Sequence, residues 1–363
     1  MESLIGPAHD ERVTAPSAPA RSSRRRLFRV AVIVASVVAA IVGTVLLAML
    51  RSSEKANGAA GSSRAPALPP GGQVVARIRI GRTRVVLGQG GAGALAVGEG
   101  AVWAMNDAKE TLMRIDPARN AVVARIKVGT PEAAAAGDGA VWLSNPSENK
   151  VIRVDPATNT IAATIPVGPQ PEGIAVSPSA VWVVNAGGPS VSRIDPATNR
   201  VVATIRVGPK SDCCAEHTSV IASPRAVWVA LTNGKSIVHI DPATNSVVAT
   251  TRLEYRPCGS LAADETSVWW TGGHCGDDVV GRVDSRTNRR TTNLAEVHPV
   301  GIAVAFGSVW VANGSGVDQI DPHSGRIVAR LHIVGLPLLL GIGFHSVWVN
   351  DFYGRVLRIK PQH

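Results

Sequence analysis

Residues 173–208 read GIAVSPSAVWVVNAGGPSVSRIDPATNRVVATIRVG, and the chain after residue 72 repeats this phrase, with variations, seven times. The phrase holds four short β runs separated by turn residues. Runs 173–176 and 180–184 are almost continuously apolar, the pattern of strands covered on both faces. Run 191–194 is mixed. Run 201–207 alternates, with Val201, Ala203, Ile205 and Val207 on one face and Val202, Thr204 and Arg206 on the other, which suits an outer strand with one wet face. The turn at 195–199, DPATN, has its own chemistry. Asp accepts from backbone amides just ahead, Pro presets φ, and Asn tolerates the left-handed conformation that ends a tight turn. A four-stranded unit of this kind cannot bury two apolar faces alone, so it must stack on copies of itself.

Each copy places a small residue and then Val-Trp on its second strand. The tryptophans are Trp103, Trp142, Trp182, Trp228, Trp269, Trp310 and Trp348, with gaps of 39, 40, 46, 41, 41 and 38. That period with four strands per copy predicts an all-β, seven-bladed β-propeller of antiparallel blades, its tryptophans packed between blades. Six copies close on RIDPARN, RVDPATN, RIDPATN, HIDPATN, RVDSRTN and QIDPHSG, whereas the seventh reads RIKPQH and has only three strands. The missing strand is expected at 73–81, QVVARIRIG, which echoes the fourth-strand phrase. Paired with 356–359 it would close a propeller domain over 73–363.

The chain carries 8 Trp against 4 Phe and 2 Tyr, because each copy spends one Trp. The net charge of +10 divides evenly: residues 1–70 hold 9 Lys/Arg and 4 Asp/Glu, and the remainder 28 and 23, so each part is +5. No Lys/Arg stripe with interleaved aromatics occurs, which excludes a nucleic-acid partner. Residues 1–26 are a polar tail too short to fold. Residues 27–50 are expected to form a transmembrane helix, because 30–50 is uncharged over 21 residues. As a helix this run spans about 31 Å, the thickness of the hydrocarbon core. It exceeds the apolar region of a cleavable signal peptide. Arg21, Arg24, Arg25, Arg26 and Arg29 precede it, so the positive-inside rule leaves the tail in the cytoplasm and the propeller outside. Residues 51–72, rich in Ser, Ala, Gly and Pro, read as a flexible stalk.

The phrase PxGIAV…AVWVxN…RIDPATN.VVATI.VG resembles the YVTN-type β-propeller repeats of bacterial surface proteins over residues 73–363. It is also similar to virginiamycin B lyase-like propellers. The latter likeness implies a catalytic His at the Pro-x-Gly position and a Glu after the Trp strand. This chain has no His there in any blade. Three residues after Trp it carries Asn106, Asn145, Asn185, Leu231, Gly272, Asn313 or Asp351.

Blade topology sorts the loops. The loop into each first strand and the loop between strands two and three share one face, where length and residues vary; the short repeated turns occupy the other. A ligand is expected on the variable face. Glu132 and Glu172 hold the position after Pro in two consecutive blades, where a pair of carboxylates suits a cation or acid–base work. All four cysteines fall on this face. Either Cys258 bridges Cys275 and leaves the vicinal Cys213–Cys214 pair, or two bridges tie the 209–219 insertion to blade five. With His217 and His274 the same thiols form a possible soft-metal set, though no CxxC spacing supports it. Trp270, next to Trp269, points to the other side of its strand and is expected on the variable face beside Cys275. Glu296 and His298 sit in a nearby loop. GQGGAG at 88–93 falls between strands and is no phosphate cradle, and no nucleophile elbow or CxxCH occurs.

The sequence therefore points to a membrane-anchored extracytoplasmic binding module at the cell envelope, taking a protein or glycan partner and needing no cofactor. The alternative is an extracellular lyase or lactonase of propeller type using a divalent metal.

Overall fold

The computed structural model describes residues 68–69, 71–81, 94–209, 218–295 and 298–362, without the side chains of 274, 292, 293 and 295. The expected tail and membrane span, nearly all of the stalk, Cys213, Cys214, His217 and Glu296 lie outside the described residues. Among those described, no helix is long and apolar enough to cross a membrane.

Seven four-stranded antiparallel sheets form the chain's propeller. Six are built from consecutive strands, as in blade three: Pro171–Ser177, Ala180–Asn185, Ser190–Asp195 and Arg200–Arg206. In blade seven the outermost strand is Gly72–Arg79, which pairs with Arg355–Pro361 from Gly72 opposite Pro361 to Arg79 opposite Arg355. The ring is thus closed by strands from the two ends of the propeller.

The core lies between blades. Trp182 of blade three packs with Val227, Val229, Leu231 and Val238 of blade four. Across the closure, Trp348 packs with Ile78, Ile80, Val102 and Ile115. All seven repeated tryptophans are buried. Truncating one to Ala costs about 3–5 kcal/mol, because the flat sheets on either side cannot collapse into the hole.

The repeated turn works as its residues dictate. The Oδ1 atoms of Asp116, Asp155, Asp195 and Asp241 accept from the amide two residues ahead at 2.7–2.9 Å. Asn120, Asn159, Asn199, Asn245 and Asn288 all have φ between 51° and 58°, and in blade six Gly325 takes the position at 68°.

The arginine two residues before that Asp, or before Lys360 in blade seven, joins neighbouring blades. Arg114, Arg153, Arg193, Arg282 and Arg358 each lie 5.1–5.4 Å from the ring of their own blade's Trp. Each also donates Nη1 to the carbonyl of the Pro in the next blade's turn at 2.6–2.8 Å. Arg is suited to both tasks at once, since its planar fork stacks and donates in plane. Blade four has His239 instead, stacked on Trp228 at 4.1 Å between centroids, and blade six has Gln319.

Candidate functional site

A cavity of about 260 Å³ on the variable face is bordered by the first strands of all seven blades, so it lies on the propeller axis. Its polar wall is Glu132, Glu172, Thr218, Ser219 and Ser260; Leu95, Ile302 and Leu339 supply apolar wall. These residues converge because each blade begins its innermost strand there. Close approach at the axis explains the Gly of the repeated phrase: a Cβ on Gly173 would stand 2.8 Å from the Thr218 carbonyl oxygen of the next blade.

Glu172 is held across a blade seam. Its Oε2 accepts from the Thr218 amide at 2.8 Å and the Thr218 hydroxyl at 2.9 Å. The Ser144 hydroxyl of blade two donates to the Glu172 carbonyl, and the Glu132 amide donates to the Ser144 carbonyl at 2.8 Å. Blades two, three and four are therefore stitched together where the two carboxylates meet the cavity. Such a wall is pre-organised, and a cation entering it meets fixed negative charge.

Cys258 also borders this cavity and is bonded to Cys275, with Cα atoms 5.7 Å apart. This pairing removes the arrangement in which two bridges tie the insertion to blade five, and it takes two thiolates from the soft-metal set. Among the described residues no group of three or more His, Cys, Asp or Glu is placed to hold a metal ion. The Arg256 guanidinium donates to the Cys275 carbonyl at 2.8 Å, and the Asp277 carboxylate accepts from the Arg256 amide at 3.1 Å. The Gly273 amide then donates to the Pro299 carbonyl of blade six at 3.0 Å. The outer loops of blade five are thereby fixed.

Of the remaining candidates, His298 does not border the cavity. His298 is exposed and engages the Asp278 carboxylate, with Nδ1 3.1 Å and its amide 2.9 Å from Oδ1. His274 occupies the middle of the short 3-10 turn Gly273–Cys275. Trp270 requires a correction. It is 1% exposed and packs with Trp228, Ala230 and Leu261 in the core between blades four and five, over Gly281, where a Cβ would fall inside its ring. It does point to the opposite side of its strand from Trp269. In a propeller, however, both sides of a second strand are covered by neighbouring blades, so the opposite side is core and not ligand face.

The inter-blade arginine clasp was not anticipated, nor was a larger cleft of about 1020 Å³ on the opposite, short-turn face. That cleft lies between blades four and five and is bordered by Trp228, His239, Asp264, Glu265 and Arg225. Its signal was the single His among the repeated Arg residues, in HIDPATN. Burial holds the His239 imidazole below its usual pKa of 6.5, against the opposing effects of Asn288 and Asp241.

No family model matches the chain, and no curated protein matches it. Among solved structures the fold is similar to a streptogramin B lyase, at 14% identity and a TM-score of 0.62, covering 77% of this chain and 97% of that one. It is similar to virginiamycin B lyase from Staphylococcus aureus at 14% identity and 0.62, covering 79% and 99%. It is also similar to BamB from Moraxella catarrhalis at 15% identity and 0.56, covering 80% and 98%. At these identities the likeness shows the propeller fold alone, and the count of seven blades rests on the chain's own seven sheets.

Proposed function

We propose that this chain is a membrane-tethered binding module of the cell envelope that takes a protein or glycan partner on its variable face. The observation that carries the reading is the axial cavity: all seven blades border it, and Glu132 and Glu172 give it negative charge on a stitched, rigid wall. At about 260 Å³ it is smaller than the roughly 300–1,000 Å³ of a site that engulfs a whole small molecule. It suits the cationic tip of a larger partner, whose bulk would rest on the loops of blade five. The uncharged run at 30–50, the arginines before it, and the likeness of the repeats to YVTN-type surface proteins support the envelope location.

The test is capture from an envelope fraction with the purified full chain, compared with a Glu132→Gln/Glu172→Gln variant. A partner retained by the parent chain and lost by the variant supports the reading. A partner retained equally by both places binding elsewhere. Fractionation and protease accessibility of the propeller test the membrane topology in the same preparation.

A second reading is favoured by the fold shared with a streptogramin B lyase over 97% of that chain: a lyase or lactonase drawing on Glu132, Glu172, His217 or His298 with a divalent metal. A stoichiometric divalent ion in the purified chain, lost on Glu132→Gln/Glu172→Gln, is its expected mark.

A further inference from the structure

We propose that the cleft between blades four and five, on the face opposite the axial cavity, is a second binding site that takes the guanidinium group of an arginine-bearing peptide. The argument starts from what the other seams put in this position. At five seams an arginine lies against its blade's Trp and donates to the turn carbonyl of the next blade. At the seam of blades four and five the residue is His239, whose shorter ring stacks on Trp228 and reaches only Asn288 Oδ1, at 3.0 Å from Nδ1. The carbonyl that receives the arginine elsewhere is here that of Ser285, which borders the cleft and accepts no hydrogen bond among the described residues.

A second polar group waits in the same place. Six of the seven repeated tryptophans donate their indole N–H to the residue five positions earlier, at 3.0–3.3 Å. Trp228 is the exception. It is 3% exposed, borders the cleft, and its Nε1 donates to nothing among the described residues. Its counterpart residue, Ser223, instead turns its hydroxyl to the Ala226 carbonyl at 3.1 Å. The ring is buried, but Nε1 is not among the sealed donors without a partner, so it is open to a ligand oxygen entering from the cleft.

The cleft therefore offers one acceptor, Ser285 O, where a guanidinium belongs, and one donor, Trp228 Nε1, where a ligand carbonyl fits. Asp264, whose carboxylate accepts from the Trp269 indole and from Thr266, and the exposed Glu265 border the cleft with the exposed Arg225, two carboxylates to one cation. The balance favours a cationic ligand, and Arg225 is left to meet peptide carbonyls. A volume of about 1020 Å³ accommodates a side chain with its flanking backbone. The planar fork of arginine matches this geometry and the single point charge of lysine does not.

The probe is Nα-acetyl-arginine amide, titrated into the full chain, with the citrulline counterpart as the uncharged isostere. Saturable binding is expected, weakened at least about tenfold for citrulline and about tenfold by Glu265→Gln, with a shift of the Trp228 indole N–H resonance. The variant His239→Arg fills the position from within. It is expected to raise the melting temperature and abolish binding. Absence of saturable binding, equal binding of citrulline, or binding undiminished in His239→Arg would overturn the proposal. Should His239→Arg fail to fold, the exposed Glu265→Gln change and the indole resonance still decide. Glu132→Gln/Glu172→Gln is expected to leave this binding unchanged, which separates it from the axial cavity.

Discussion

Arg358 of blade seven donates from Nη1 to Asn120 Oδ1 of blade one at 3.2 Å, joining two residues 238 positions apart. The same guanidinium reaches the Pro117 carbonyl at 2.6 Å and the Ser346 hydroxyl at 2.8 Å, and lies 5.1 Å from the Trp348 ring. It repeats at the closing seam what Arg114, Arg153 and Arg193 do within the ring. Its partners are half-buried, so water does not replace them well. Arg358→Ala should cost about 2–4 kcal/mol, combining lost charged hydrogen bonds and a cation–π contact. Arg119→Ala, which removes an exposed pair 3.7 Å from Asp116, should change stability by less than about 0.5 kcal/mol. Denaturant unfolding of the two variants compares them directly.

Strand Gly72–Arg79 is the outer strand of blade seven. Removing residues 72–81 exposes Arg355–Pro361 as an open edge and strips Ile78 and Ile80 from the core around Trp348. A chain lacking 72–81 should lose cooperative unfolding as a whole. A sharp, unshifted transition would show that the ring does not depend on this closure.

The turn aspartates make stability sensitive to acid. Asp116, Asp155, Asp241, Asp284 and Asp321 are held below their usual pKa of 3.8 first by backbone amides ahead of them, and Asp195 first by the Thr198 hydroxyl. A folded-state pKa below the unfolded value means that the stabilisation is complete above about 3.8 and is lost as pH falls through the lower folded values. The melting temperature should therefore fall below about pH 4, and Asp195→Asn should flatten that fall while lowering the plateau.

Reduction acts locally. The Cys258–Cys275 bridge spans 17 residues, a loop whose closure contributes about 3 kcal/mol. Thiol labelling of the denatured, unreduced chain should leave both residues unmodified. After reduction, proteolysis should first cut the loops of blade five and leave the other blades intact.

The architecture was legible because one phrase carries every requirement of a blade: two apolar strands, a Trp, a turn with Asp and Asn, and an alternating outer strand. Stacking follows from apolar faces that a single unit cannot cover. Glu132 and Glu172 could be placed together from their register after Pro, and they border one cavity. The sequence was silent where meaning depends on contact across a seam. Arg193 looked like a polar residue of a mixed strand, yet it touches Trp182 and the Pro242 carbonyl of the next blade. Trp270 was misplaced for the same reason, since a strand's far side is solvent in an isolated sheet and core in a ring. Glu172 showed no sequence hint of its bond to Thr218, which comes from the neighbouring blade.

The assignment of faces is tested most directly by hydrogen exchange on the full chain, with and without the partner captured from the envelope. The account predicts new protection at 131–134, 171–174, 218–220 and 257–261, around Glu132, Glu172 and the disulfide. Protection confined to the DPATN turns at 195–199 and 241–245, with the axial segments unchanged, would contradict it.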